Sequence, residues 1–191
     1  MIGTRTLIVC AAAALLTSVP VNAAEVVPLA HFDGVGLRGG GRVTLKFGPE
    51  QKVTLLKGST QYTRFRIEHG GGLSIDACDD NCPSHYDLEI EIVSPNISAI
   101  AVEGGGSIKA EGSFPARGRL AVAISGGGEI DARAEPANAV DAAVNGGGAI
   151  KVAATGQLNA AVNGGGEIVY WGNPRVSQAV SGGGAIRRAG N

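Results

Sequence analysis

The sequence predicts an all-β protein, a parallel β-helix-like solenoid with rungs of 18 to 22 residues. A seven-residue phrase, apolar-x-Gly-Gly-Gly-x-apolar, recurs along the chain, as at residues 144–150. From position 104 onward the glycine triplets start at positions 104, 126, 146, 164 and 182, so successive copies lie 22, 20, 18 and 18 residues apart. Self-similarity at such a period is typical of proteins built from stacked repeats.

The spacing between copies is always even, which favours extended strands because their side chains alternate between two faces. Apolar residues occupy even positions from residue 102 onward, as in Val144, Ile150 and Val162. Of the fifteen charged residues between positions 102 and 190, only Arg188 stands at an even position. An amphipathic helix would need a period of about 3.6 residues, and each glycine would cost it about 1 kcal/mol. We therefore expect strands whose even positions face a core.

Stacking of the copies in register makes two further predictions about neighbouring side chains. One is an outward ladder of alternating charge, with adjacent members about 4.8 Å apart, formed by Lys109, Asp131 and Lys151. The other is a buried inward column formed by Ile108, Ile130, Ile150, Ile168 and Ile186. The glycines are interpreted as structural: two of each triplet point inward where the coil is narrow, and some adopt a positive φ.

Residues 1–23 are predicted to be a signal peptide, and residues 24–191 a single β-solenoid domain. Arg5 supplies the positive charge, residues 7–16 are apolar, and residues 21–23 form a small-residue cleavage site. The apolar run is short for a membrane span, and no later segment is apolar enough to be one. Without Arg5 the remaining chain has 15 Lys and Arg against 17 Asp and Glu. This balance argues against nucleic-acid binding, which needs a basic face.

The domain is expected to be irregular up to about residue 100 and regular after it. Between residues 31 and 77 the apolar residues occupy odd positions, in the opposite phase to the later repeats, as in Val35, Leu37 and Phe47. The triplet at residues 70–72 departs from the repeat because Leu73 follows it immediately. We expect a distorted rung or an N-terminal cap there.

The segment between residues 76 and 85 switches the inward phase and contains the most unusual chemistry of the chain. Two cysteines four residues apart in an exported protein favour a disulfide, here Cys78 with Cys82. A zinc site is the first alternative, with ligands from Cys78, Cys82, His69 and His85. A calcium site is the second, with ligands from Asp76, Asp79, Asp80, Asn81 and Asp87. The disulfide is preferred, and no metal or other cofactor is predicted.

Together, the Val/Ile-x-Gly-Gly-Gly-x-Ile repeats, the signal peptide and the opening at residues 33–35 resemble the putative auto-transporter adhesin head GIN domain family. The resemblance covers about residue 31 to the end. It implies a parallel β-helix-like fold in an exported bacterial protein, located in the periplasm or secreted. It implies no enzymatic activity, so no catalytic residues are carried over.

The sequence is compatible with two functions. The first is a non-catalytic structural, adhesion or binding module of the bacterial cell envelope, with an envelope glycan or protein as partner. The alternative is a carbohydrate-active enzyme, since Glu129 and Glu167 occupy the same repeat position two rungs, or about 9.6 Å, apart. Trp171, an outward aromatic residue beside a turn, is the candidate ligand contact because tryptophan can stack on sugar rings. Neither the ligand nor the oligomeric state is predicted.

Overall fold

The computed structural model describes residues 24–190, and within them the chain is all β and contains no helix. The predicted signal peptide, residues 1–23, lies outside the described residues. The strands of the irregular region are β1 (Glu25–Val27), β2 (Gly34–Gly39), β3 (Arg42–Phe47), β4 (Lys52–Lys57), β5 (Arg64–Ile67), β6 (Gly72–Asp76) and β7 (Glu89–Ser94). Those of the regular region are β8 (Ala99–Gly104), β9 (Ser107–Glu111), β10 (Arg117–Gly126), β11 (Glu129–Gly146), β12 (Ala149–Gly164), β13 (Glu167–Trp171), β14 (Arg175–Ser181) and β15 (Ala185–Gly190).

All fifteen strands join one sheet that curls into a half-barrel. Each glycine triplet separates a strand that precedes it from one that follows it. The pre-glycine strands stack in parallel and comprise β2, β8, β10, the second part of β11, the second part of β12, and β14. The post-glycine strands also stack in parallel and comprise β3, β9, the first part of β11, the first part of β12, β13 and β15. The predicted all-β class and parallel stacking are thus confirmed.

The repeats stack in register, as the even spacing predicts. Val144 pairs with Ile124 on one side and Val162 on the other, and Ile150 pairs with Ile130 and Ile168. The isoleucine column is buried from Ile108 to Ile168 and becomes partly exposed at Ile186. Burial of this column favours folding of the regular region, because a fully buried aliphatic side chain contributes about 1.5–3 kcal/mol.

In the triplets of the regular region, the first and third glycines are required by close packing, whereas the middle one is not. Gly146 has a φ of 126°, and a Cβ on it would lie 2.5 Å from the carbonyl oxygen of Gly126. A Cβ on Gly148 would lie 2.6 Å from Cγ2 of Ile124, whereas a Cβ on Gly147 would meet no atom within 4 Å. The predicted structural role is therefore met by two glycines of this triplet.

The irregular region has the predicted odd phase, with one exception. The apolar side chains at odd positions from Val35 to Ile75 are buried or partly buried, except that Phe47 is 45% exposed and packs edge-on against Phe114. Three antiparallel pairings occur here, between β1 and β4, β4 and β7, and β5 and β6. The triplet at residues 70–72 forms the turn of the β5–β6 hairpin at an edge of the sheet, which explains its departure from the repeat.

Alternation fails within β11, and this corrects the prediction that all odd positions of the regular region face outward. The register of β11 against β12 shifts between Ala132 and Ala137, because β11 has three more residues than β12 between these positions, which pair with Val152 and Ala154. The extra residues reverse the phase locally, so that Glu135 is fully buried. Asp131 and Val169 are also odd and are also buried.

Candidate functional site

A groove of about 710 Å³ crosses the outer face of the pre-glycine strands, and we call it the alanine groove. Its floor is a row of small side chains contributed by successive strands. In order across the sheet, the row consists of Ser74, Gly36, Ala101, Ala123, Ala143, Ala161 and Ala179. Each member is directly paired with the next in the strand register. The row therefore spans six strand spacings, or roughly 29 Å at about 4.8 Å each.

The floor of the groove is apolar because its main-chain groups are already paired in the ladder and its side chains are mostly methyl groups. Alanine has a low strand propensity and covers little of the sheet, so the surface beneath it stays open. Polar side chains line the row on one flank, including Asp141, Asn159 and Ser177. The outward row on the other flank carries Asn145 and Asn163, which pair with each other in register. An apolar floor between two polar rows suits a long, narrow partner.

Charged groups at the groove are neutralised by one another. At one end, Nε of Arg38 lies 3.1 Å from Oε2 of Glu103, and its Nη1 lies 4.0 Å from Oε1 of Glu68. On the flank, Asn159 donates a hydrogen bond of 2.7 Å to Asp141, and Arg119 donates one of 2.8 Å. These bonds, that of Asn159 first, lower the pKa of the Asp141 carboxyl. The carboxylates are therefore held as ion pairs and hydrogen-bond acceptors.

The groove was not predicted from the sequence, although a signal for it is present. Every regular copy of the repeat has alanine three residues before the first glycine, as at Ala123 and Ala143. These positions are odd and hence outward, where polar residues are the ordinary choice in a strand. The repeat pattern is defined by its inward residues, whereas the concavity of the outward face depends on the curl of the sheet.

Cys78 and Cys82 are joined by a disulfide, as predicted, with their Cα atoms 6.0 Å apart. Both sulfurs are thereby consumed, and neither can serve as a zinc thiolate. In the part of the chain that the structure describes, no group of three His, Cys, Asp or Glu side chains is placed to hold a metal ion. Asp79 of the same loop instead forms an ion pair with Arg64.

Trp171, the candidate ligand contact, lies outside the alanine groove at the end of β13. The guanidinium carbon of Arg133 lies 4.9 Å from the centroid of its ring, in a cation–π contact. Arg133 in turn donates hydrogen bonds to both carboxylate oxygens of Asp131, at 2.8 and 2.6 Å. The ring is partly buried, so one of its faces is already covered by a neighbour.

The predicted charge ladder has the expected register but different ion pairs. Asp131 is paired in the strands with Lys109 and with Lys151. Its salt bridge, however, is to Arg133, while the lysines bind Glu111 and Glu129, each at 2.7–2.8 Å. Each lysine side chain is long enough to reach a carboxylate two residues along the same face, and it binds this carboxylate instead of that of Asp131. The predicted register of the ladder is therefore confirmed, whereas the salt bridges of its members are to other residues.

Glu129 and Glu167 lie in register two strands apart, with Ala149 between them, as the repeat predicts. Each forms an ion pair, Glu129 with Lys151 and Glu167 with Arg187. The contact with Arg187 lowers the pKa of Glu167, against a smaller opposing effect of desolvation. A glycosidase acid needs a raised pKa, and neither residue lines the alanine groove.

Comparison with known proteins identifies the family. A profile described as "Putative auto-transporter adhesin, head GIN domain" matches residues 31–118 and 116–174. The chain belongs to this family. Comparison with curated proteins yields no match. Within residues 24–190, no helix has the length and apolar character needed to cross a membrane.

Solved structures of similar fold come from bacteria. A putative adhesin from Bacteroides fragilis is 19% identical, with a TM-score of 0.54 over 87% of this chain and 96% of that one. A putative adhesin from Parabacteroides merdae is 14% identical, with a TM-score of 0.43 over 87% and 95% of the two chains. A putative cell adhesion protein from Clostridium sporogenes is 10% identical, with a TM-score of 0.42 over 88% and 99%. At these identities the first structure supports the fold alone.

Proposed function

We propose that this protein is an exported, non-catalytic binding module of the bacterial cell envelope, periplasmic or secreted, which contacts its partner through the alanine groove. Residues 1–23 act as the signal peptide, and residues 24–191 form one domain whose stacked strands make a β-helix-like solenoid. Membership of an adhesin family and the Cys78–Cys82 disulfide support an envelope location, since disulfides persist in oxidising compartments.

The continuous row of small side chains across seven strands carries this proposal. A row that needed only to remain soluble would be lined by charged or polar residues, as the row through Asn145 and Asn163 is. Here five successive repeats place alanine at the same outward position, from Ala101 to Ala179. A groove of about 710 Å³ with an apolar floor and a few polar side chains beside it is typical of a contact surface for another molecule.

The shape of the groove favours an extended polymer lying across the strands. A length of roughly 29 Å fits several units of a linear chain, and the floor offers apolar contact along all of it. The amides of Asn145, Asn159 and Asn163 on the two flanks can donate and accept hydrogen bonds. An envelope glycan or an extended protein segment meets both requirements.

Substitution of Ala143 by Trp at the middle of the floor tests the proposal. The indole would fill the groove without entering the core, because Ala143 lies on the outer face. The matched control is Ala185→Trp, which places the same side chain on an exposed position outside the groove. Binding of both variants and the unmodified protein to a glycan and cell-envelope array would be measured together with their thermal unfolding.

We expect Ala143→Trp to abolish binding to the array component that binds the unmodified protein. Ala185→Trp should bind this component as the unmodified protein does. Equal unfolding temperatures would show that the loss is local. Undiminished binding by Ala143→Trp would remove the groove from the contact surface, and turnover of an array glycan would overturn the non-catalytic assignment.

A further inference from the structure

Strands β14 and β15 form an open edge of the stacked sheet. Within residues 24–190, β14 pairs only with β12, and β15 pairs only with β13. The two strands contain seven and six residues, whereas the edge strands of the irregular region, β1 and β5, contain three and four. Long edge strands leave more unpaired N–H and C=O groups available to an added strand.

The open edge also exposes side chains that are buried elsewhere in the repeat. Val180 is 47% exposed, whereas its register partner Val162 is 2% exposed. Val176 and Ile186 are partly exposed, whereas the residues they pair with in β12 and β13 are fully buried. One further strand laid on this edge would therefore bury apolar side chains as well as satisfy main-chain groups.

The charge of the open edge is one-sided. Strands β14 and β15 carry Arg175, Arg187 and Arg188 and contain no Asp or Glu. Arg187 is paired with Glu167 of β13, while Arg175 forms no ion pair with any residue of the described chain. A second copy of the same edge would bring like charges together, which disfavours self-association.

We propose that the open edge binds, by strand addition, an extended segment of a partner polypeptide that carries Asp or Glu. Main-chain hydrogen bonds to β14 or β15 would provide the affinity. Alternate side chains of the segment would cover Val176 and Val180, and its carboxylates would meet the arginines. The open edge shares β14 with the alanine groove, whose floor ends at Ala179. The groove uses the outward side chains of that strand, whereas the edge uses its unpaired main chain together with Val176 and Val180, so the proposal does not depend on what the groove binds.

Two synthetic peptides test the proposal on the full chain. One alternates valine with glutamate and the other valine with lysine, each about seven residues long to match the edge strands. Affinity would be measured by calorimetry, and amide hydrogen exchange would locate the bound peptide. Arg175→Glu reverses one positive charge of the open edge. Val180→Ser removes one of its exposed apolar side chains. The control Lys52→Glu makes the same change of charge on β4, in the irregular region.

We expect the glutamate peptide to bind and the lysine peptide not to, with new exchange protection confined to β14 and β15. Arg175→Glu should weaken binding about fivefold or more, Val180→Ser should weaken it, and Lys52→Glu should leave it unchanged. Failure of the glutamate peptide to bind would overturn the proposal. So would equal losses in Arg175→Glu and Lys52→Glu, or a dimer of the unliganded protein that Arg175→Glu dissociates.

Discussion

Arg117 and Glu135 form an ion pair inside the fold, with Nη2 of Arg117 2.6 Å from Oε1 of Glu135. Glu135 is fully buried, and Arg117 also donates hydrogen bonds to the side chain of Asn96 and the carbonyl oxygen of Ile97. Burial raises the pKa of Glu135 to about 7, and Arg117 opposes this effect only in part. Glu135 lies in the stretch of β11 where the register against β12 shifts.

The raised pKa of Glu135 predicts that stability falls as the pH rises. Its folded-state pKa, about 7, lies above the value of 4.5 for the unfolded chain. Its contribution is therefore complete below about pH 4.5 and is lost as the pH rises through about 7. The free energy of unfolding should therefore fall by at most about 3 kcal/mol between the low-pH and high-pH limits. Urea unfolding at about pH 5 and about pH 8 would measure it.

Glu135→Gln replaces the titrating carboxyl by a neutral group of similar shape, so we expect it to remove most of this pH dependence. The exposed Glu111→Gln serves as the control, since its pKa is lowered by Lys109 and its removal should leave the fall between these pH values in place. A pH profile that Glu135→Gln leaves unaltered would contradict the assignment.

The isoleucine column predicts that one substitution has different costs at two positions. Ile150→Ala in the buried part of the column should lower the free energy of unfolding by about 2–5 kcal/mol, because it leaves a cavity. Ile186→Ala at the partly exposed end should cost about 1 kcal/mol or less, since solvent fills the space. Chemical unfolding of both variants compares them. Equal costs would show that the column does not form a continuous core.

The glycine triplets predict that alanine is tolerated at the middle position and not at the third. At Gly148 a Cβ would meet Ile124 Cγ2 at 2.6 Å and the carbonyl oxygen of Gly128 at 2.7 Å. Gly148→Ala should therefore destabilise by about 1–3 kcal/mol. Gly147→Ala should be nearly neutral, because the added methyl group meets open space. Thermal unfolding of the two variants distinguishes a packing requirement from a general need for flexible residues.

If Trp171 contacts a glycan, binding should change the tryptophan fluorescence of the protein, because Trp171 is the only tryptophan of the chain. Binding of a sugar ring to its free face should shift the emission. Arg133→Ala would uncover the other face and should increase the response, whereas the control Arg42→Ala, on β3 in the irregular region, should not. Emission that stays constant across a broad glycan panel would remove Trp171 as a ligand contact.

The sequence alone determined the strand class, the register of the repeats and the disulfide. These follow from local rules: Val144 and Ile150 face the core because alternation has a period of two, and Cys78 and Cys82 can meet through a local turn. The family resemblance rested on the same repeats.

Only the tertiary structure decided where the regular pattern breaks and what its outer face does. The inward position of Glu135 depends on how β11 and β12 differ in length between paired residues, which no single strand shows. Asp131 binds Arg133 rather than a lysine because side-chain reach and competition select among several neighbours. The row through Ala143 becomes a groove because the sheet curls, and curvature is a property of all the stacked strands together.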